Sequence, residues 1–319
     1  MSDVVWASDA DAEDSGFFGP ESVAWRVLTA PAVALMIAQI TNLLEVPHVD
    51  FQSVLLDHDP LYPTNARRQR DWKGKGGGRF HDRIGRTVAV PFPILFGDRK
   101  TAQRCARKLF NYHRPMHGVN ADDGARYSAT DADTMLFASM TIAHGGLLAY
   151  ENFAVSGLGG SRPLTAAERD QYFAEMVELA VLMGVPREKV PASATGLADY
   201  YASLSDKFRY RDGWNRAQVG TVLGLLKPTN LRDLGRVIAD VALMNSSVLA
   251  AAALPRPSRR LNQIPSVADP VLELVRVASL PVFAALQTSA GRPVLRALIG
   301  ADHLAAVDAA RALIATEAS

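Results

Sequence analysis

The chain has a single cysteine among its 319 residues, Cys105. A lone thiol forms no internal disulfide and no thiolate metal cluster, and such sparing use fits a reducing cytoplasm, so the expected localisation is cytoplasmic. An excess of one charge is also missing: 34 Lys and Arg stand against 33 Asp and Glu, a net +1. That balance leaves no electrostatic footprint for nucleic acid. Long apolar runs fit for a bilayer are lacking as well. Residues 33–46 are too short to span, and 237–254 carries Asp240, Asn245, Ser246 and Ser247, of which the aspartate alone costs about 3 kcal/mol at a bilayer centre. Both read as core helices, and no transmembrane span is expected. The opening MSDVVWASDADAEDSG is acidic, with neither a basic n-region nor an apolar h-region, so it does not read as a secretory signal.

Several motif classes are absent. GKGGGR (74–79) lacks the spacing of a phosphate loop, and SGLGGS (156–161) is no dinucleotide fingerprint; both read as flexible loops. Ser156 and Ser161 sit in no G-x-S-x-G elbow, which excludes an α/β-hydrolase nucleophile. No internal repeat and no linker divides the chain. Residues 1–14 are expected to be a solvated tail and 15–319 one all-helical domain, long enough to bury a core with a pocket inside it.

What the chain does have is helix. Alanine and leucine are frequent, apolar residues recur three and four apart, and β-branched alternation is scarce. The fold class is therefore all-α, a single helical bundle. Thr165 and Glu168 make a capping box that opens a helix through Met183, and Gly184 stops it. Asp98 caps a second helix running to about His113, ended by Pro115. Further helices are expected at 20–46, 130–150, 195–207, 215–226, 229–253, 267–288 and 292–317. Segments 61–82 and 254–266, rich in Arg, Gly or Pro, read as mobile surface loops, the first a candidate lid.

The stretch KLFNYHRPMHGVN (108–120) holds two of the seven histidines. Ala102, Ala106, Leu109 and His113 fall on one helical face, while Arg99, Lys100, Arg104, Arg107 and Lys108 occupy the other. His113 therefore points inward. Two readings remain open on geometry alone: an imidazole that ligates a metal or haem iron, or a core histidine bonded to a backbone carbonyl. His117 lies four residues on, but Pro115 interrupts the helix and no HExxH motif is formed. A protein-only metal site would have to recruit His144, His81 or distant carboxylates. In HDRIGRT (81–87), Arg83, Arg86 and Thr87 cluster; two guanidiniums beside a hydroxyl suit carboxylates or a polar ligand, although such clusters are also common on solvated faces. Asp57, Asp59 and Glu151 are the candidate bases.

The order of these motifs resembles the superfamily of MpaB-type oxygenases and latex clearing proteins, all-helical haem b proteins. DSGFFGPESVAWRV (14–27), DRIGRT (82–87), LFGDRKTAQRCARKLFNYHRPMHG (95–118), DGARYSATDADTMLF (123–137) and YFAEMVELAVLMGVPREKVPAS (172–193) are similar to its segments, in family order over roughly 14–205. The resemblance implies a globin-like architecture with a haem pocket between helices. It makes His113 the proximal iron ligand and places Arg83 and Thr87 beside haem b (iron protoporphyrin IX). Arg86 stands where latex clearing proteins carry a lysine able to reach iron; as a guanidinium it would donate hydrogen bonds instead, to a propionate or a bound species. His117 would line the pocket or cap the helix. Ser139 replaces a histidine found in many members and Phe137 its tryptophan, a loss that His144 can partly make good. The implied function is a haem-dependent oxygenase using dioxygen or peroxide on a small apolar substrate, isoprenoid or another natural product. The alternatives are a non-catalytic haem-binding sensor or carrier and a cofactor-free helical scaffold. The sequence leaves the oligomeric state open.

Overall fold

The computed structural model describes residues 14–59, 62, 91–155, 163–217 and 246–317. Arg83, Arg86, Thr87, His81, both glycine runs, nearly all of the 61–82 segment and most of the helices expected at 215–226 and 229–253 lie outside them. Where the chain is described it is helical apart from one small hairpin, as the composition requires.

The helix expected over 20–46 is two. Helix α1 (Val23–Leu28) is capped by Ser22, whose hydroxyl accepts from the Trp25 amide. Helix α2 (Pro31–Glu45) restarts at Pro31, since proline has no N–H to continue α1 and holds Ala30 in extended geometry. Helix α3 (Val49–His58) follows. Helix α4 (Pro91–Phe96) leads into α5 (Arg99–His113), where Asp98 accepts from the Thr101 amide at 2.8 Å as the N-cap. Helix α6 (Ala132–Phe153) and helix α7 (Ala166–Leu182) come next, α7 opened by the Thr165–Glu168 capping box.

Helices α2 and α6 pack along most of their lengths and form the centre. Their approach depends on Gly145: a Cβ there would lie 2.4 Å from Thr41 Oγ1. Trp25 ties α1 to α4 through its indole N–H, 2.9 Å from the Leu95 carbonyl. Tyr172 of α7 donates its hydroxyl to the Ala143 carbonyl of α6 at 2.8 Å. The largest buried side chains, Trp25, Phe137, Phe153, Tyr172 and Phe173, come from these central helices.

Helix α8 (Ala194–Ser203) is capped by Ser193. The 254–266 segment contains a short helix, α9 (Arg256–Leu261). Arg259 fastens it by bonds to the Ala251 and Ala252 carbonyls and to Asp269, at 3.1, 2.7 and 2.8 Å. Helix α10 (Asp269–Leu286) packs through Phe283, whose ring lies 4.7 Å from that of Phe153. The single helix expected at 292–317 breaks at Gly300 (φ +88°), a left-handed position that separates α11 (Arg292–Ile299) from α12 (Ala301–Glu317).

Candidate functional site

Helix α5 carries the candidate ligand. Ala102 and Ala106 are buried, and Leu109 and Phe110 pack part-buried against the main core. Arg99, Lys100, Arg104, Arg107 and Lys108 are exposed, so the two faces read from periodicity are the two faces observed. His113, at the last turn, is part-buried. Its Nδ1 is 3.0 Å from the Leu109 carbonyl one turn back, and the ring meets Tyr112 edge-on. A carbonyl only accepts, so Nδ1 is the donor, and such a bond orients the ring as proteins orient metal-binding imidazoles.

His117 begins β1 (His117–Val119), which pairs antiparallel with β2 (Arg126–Ser128), His117 opposite Ser128. It is exposed. A hairpin does not emerge from a search for long alternation, because its strands have only three residues each. It is built on close packing: a Cβ on Gly118 would sit 2.7 Å from the Tyr127 hydroxyl. That hydroxyl donates to Asp57 at 2.5 Å and lies 3.3 Å from His58 Nε2. Burial, then the bond to Asp57 and its negative charge, push the phenol well above its ordinary range.

The inward face of α6 gathers a second group. His144 Nδ1 is 3.2 Å from the Tyr201 hydroxyl of α8. Burial lowers the His144 pKa to about 4, so the ring is neutral at pH 7 although some of its surface reaches solvent. Thr141, one turn earlier, donates to Glu45 of α2 at 3.0 Å. Phe137 lies a further turn back and stacks on His48, ring centres 4.4 Å apart. His48 is buried, caps α3 by accepting from the Asp50 amide, and meets Phe51 and Phe208 edge-on. Its pKa also falls to about 4; burial is the main cause and Lys207 adds to it, while Asp50 opposes. The structure thus brings together His144, Tyr201, Phe137 and His48, of which sequence reasoning had singled out His144 and, as a substituted position, Phe137. His48 was missed, because histidine is not among the Ser, Thr, Asp and Asn caps that mark a helix start in a sequence.

The described partners of His113 include neither His117 nor His144. Ser139 turns its hydroxyl back to the Met135 carbonyl at 2.8 Å, spent on its own helix. Of the candidate bases, Asp57 is bound by Tyr127, Glu151 pairs with Arg169 at 2.7 Å, and Asp59 is buried. The cavity lined by Pro31, Ala34, Leu295 and Val307 has a volume of about 20 Å³, room for one water, and no residue of α5 lines it.

Fold and site together define an all-α protein whose interior carries neutral imidazoles, the donor type that binds iron. The family model for the catalytic domain of "ER-bound oxygenase mpaB/B'/Rubber oxygenase" matches residues 25–309. The chain belongs to this oxygenase family, as the motif order had implied. No curated protein and no solved structure matches it significantly.

Proposed function

We propose that this chain is a haem b-dependent oxygenase that acts with dioxygen or peroxide on a small apolar substrate of isoprenoid or other natural-product type, as one domain over 15–319, in the cytoplasm. The observation that carries the reading is His113, part-buried at the C-terminal end of α5, its Nδ1–H directed to the Leu109 carbonyl, which orients the ring. An imidazole held by a carbonyl at one nitrogen is a donor type that fits haem iron. Bound haem supplies a redox-active iron for activating the oxidant. His113 would hold the iron through Nε2, the Leu109 carbonyl keeping the ring in register and raising its basicity. Arg83, Arg86 and Thr87 would bind carboxylate groups or orient a polar species by donated hydrogen bonds. His144, neutral at pH 7, would line the interior with Tyr201 and the aromatic rings beside it. His117, exposed on β1, would line the pocket and leave the iron to His113.

The test is an absorbance spectrum of purified protein after haem supplementation. A Soret band is expected, lost or strongly shifted in His113→Ala while far-UV circular dichroism stays unchanged. A band indifferent to that substitution, or no band in the native chain, would sink the assignment. Oxygen consumption with terpenoid or polyketide substrates then separates turnover from haem binding alone.

A further inference from the structure

After α8 the chain crosses α3 and the hairpin turn as a strap, residues 204–212. The far end of this strap is tied down by groups other than imidazole. The Gln52 side chain donates to the Arg209 carbonyl at 2.7 Å and accepts from the Arg211 amide at 2.8 Å. Arg209 pairs with Asp123, and the Asp212 amide donates to Asp122 at 3.2 Å. The middle of the strap rests on the first turn of α3. There the Val49 amide donates to the Lys207 carbonyl at 3.0 Å, Lys207 Nζ donates to Asp50 at 3.1 Å, and Phe208 forms a backbone bridge with His48. The Phe208 ring lies 6.1 Å from Phe137 and 6.4 Å from Tyr201, the phenol bonded to His144.

His48 is the pivot of this joint. It accepts from the Asp50 amide through Nδ1, stacks on Phe137 and bridges to Phe208. A protonated ring loses the first of these, since an Nδ1 that carries a proton accepts nothing, and it leaves a charge among Phe51, Phe137 and Phe208. The charges that act on the ring are Asp50 on its own helix and Asp206, Lys207 and Arg209 on the strap. From α6 it meets Phe137; α8 brings Tyr201, a phenol that burial keeps neutral; α2 ends in Glu45, which accepts from Thr141. Two anions and two cations oppose one another, so exclusion of water decides, and the ring is neutral while the strap is down. Lifting the middle of the strap lets water reach it, and the lifted form binds a proton more readily than the closed one.

We propose that the 204–212 strap is an acid-released cover: protonation of His48 frees Lys207 and Phe208 from α3 and uncovers the Phe137 and Tyr201 rings, while Gln52, Asp122 and Asp123 keep the far end attached. The closed form is favoured fully above pH 6.5, where the ring is neutral lifted or closed, and loses ground as the pH falls toward 4. The experiment is hydrogen exchange of the full chain at pH 7, 6 and 5, corrected for the intrinsic rate at each pH, read at the Val49 and Asp50 amides that the joint protects. These amides are expected to exchange by local opening, less protected than amides at the centre of α6 at every pH. Their protection should fall about tenfold from pH 6 to pH 5, the effect of one proton taken up on opening. His48→Asn, which keeps a cap acceptor, should flatten most of that dependence with the far-UV spectrum unchanged. The titration of the His48 ring, followed by NMR in the native chain, gives a reading that needs no variant, and its midpoint should lie well below 6.5. A flat dependence in the native chain, a dependence kept in full by His48→Asn, or an ordinary ring midpoint overturns the proposal. So does exchange of Val49 and Asp50 only together with the α6 amides, which would make the joint part of the global unfolding unit.

Discussion

His48 shows what burial does to one titratable ring. Packed on Phe137 and capping α3, it titrates near 4 when folded against 6.5 in an open chain. Between those values the unfolded chain takes up a proton that the folded one resists, so stability is full above pH 6.5, falls as the pH drops toward 4 and levels off below. The shift corresponds to roughly 3 kcal/mol. Urea unfolding at pH 7 and near pH 4 should show this loss. His48→Asn, which keeps a cap acceptor but cannot titrate, should remove the His48 share and leave that of His144, whose pKa burial lowers to about 4 as well; an unchanged loss in the variant would place the acid sensitivity at other groups. The contrast with His113 explains what the letters reveal. The face of α5 that carries His113 is written in residues 102–113, because helical periodicity is local. The surroundings of His48 are made by Phe137 and Phe208, far along the chain, and no local pattern announces them.

At the scale of elements, contact between α2 and α6 rests on a missing side chain. Alanine in place of Gly145 gains about 1 kcal/mol of helix propensity. Its Cβ, however, would meet Thr41 Oγ1 at 2.4 Å and the Thr41 backbone nitrogen at 3.2 Å. Overpacking of this kind costs about 1–3 kcal/mol, so Gly145→Ala is expected to destabilise the protein in urea unfolding, against the trend of its propensity. Adding Thr41→Ala should restore part of the loss; a neutral Gly145→Ala would mean that the two helices part easily. Boundaries set by chemistry within one turn were readable: the Thr165–Glu168 box and the Asp98 cap both stand. Boundaries set by competition were not. Pro31 divides an apolar run that periodicity alone joins, and prolines in 254–266 suggested a loop where Arg259, bonded to two carbonyls and Asp269, holds a helix.

For the molecule as a whole, the question is whether the C-terminal helices fold with the rest. Phe283 of α10 packs on Phe153 of α6, and the Asn262 side chain donates to the Leu43 carbonyl of α2 at 2.8 Å. Both contacts join 246–317 to the central pair, and neither is foreshadowed by any spacing within the C-terminal sequence. Loss of the buried Phe283 ring should cost about 3–5 kcal/mol. If 15–319 is one cooperative unit, Phe283→Ala lowers the thermal midpoint of the entire protein, and circular dichroism and tryptophan fluorescence, which includes buried Trp25 and Trp214, shift together. Two separated transitions would show instead that the C-terminal helices form a domain of their own. The outer face of the same helix supplies the control. Leu274 touches solvent on the side away from Phe283, so Leu274→Glu should leave that transition in place, and a large fall in midpoint would mean that this leucine supports the fold.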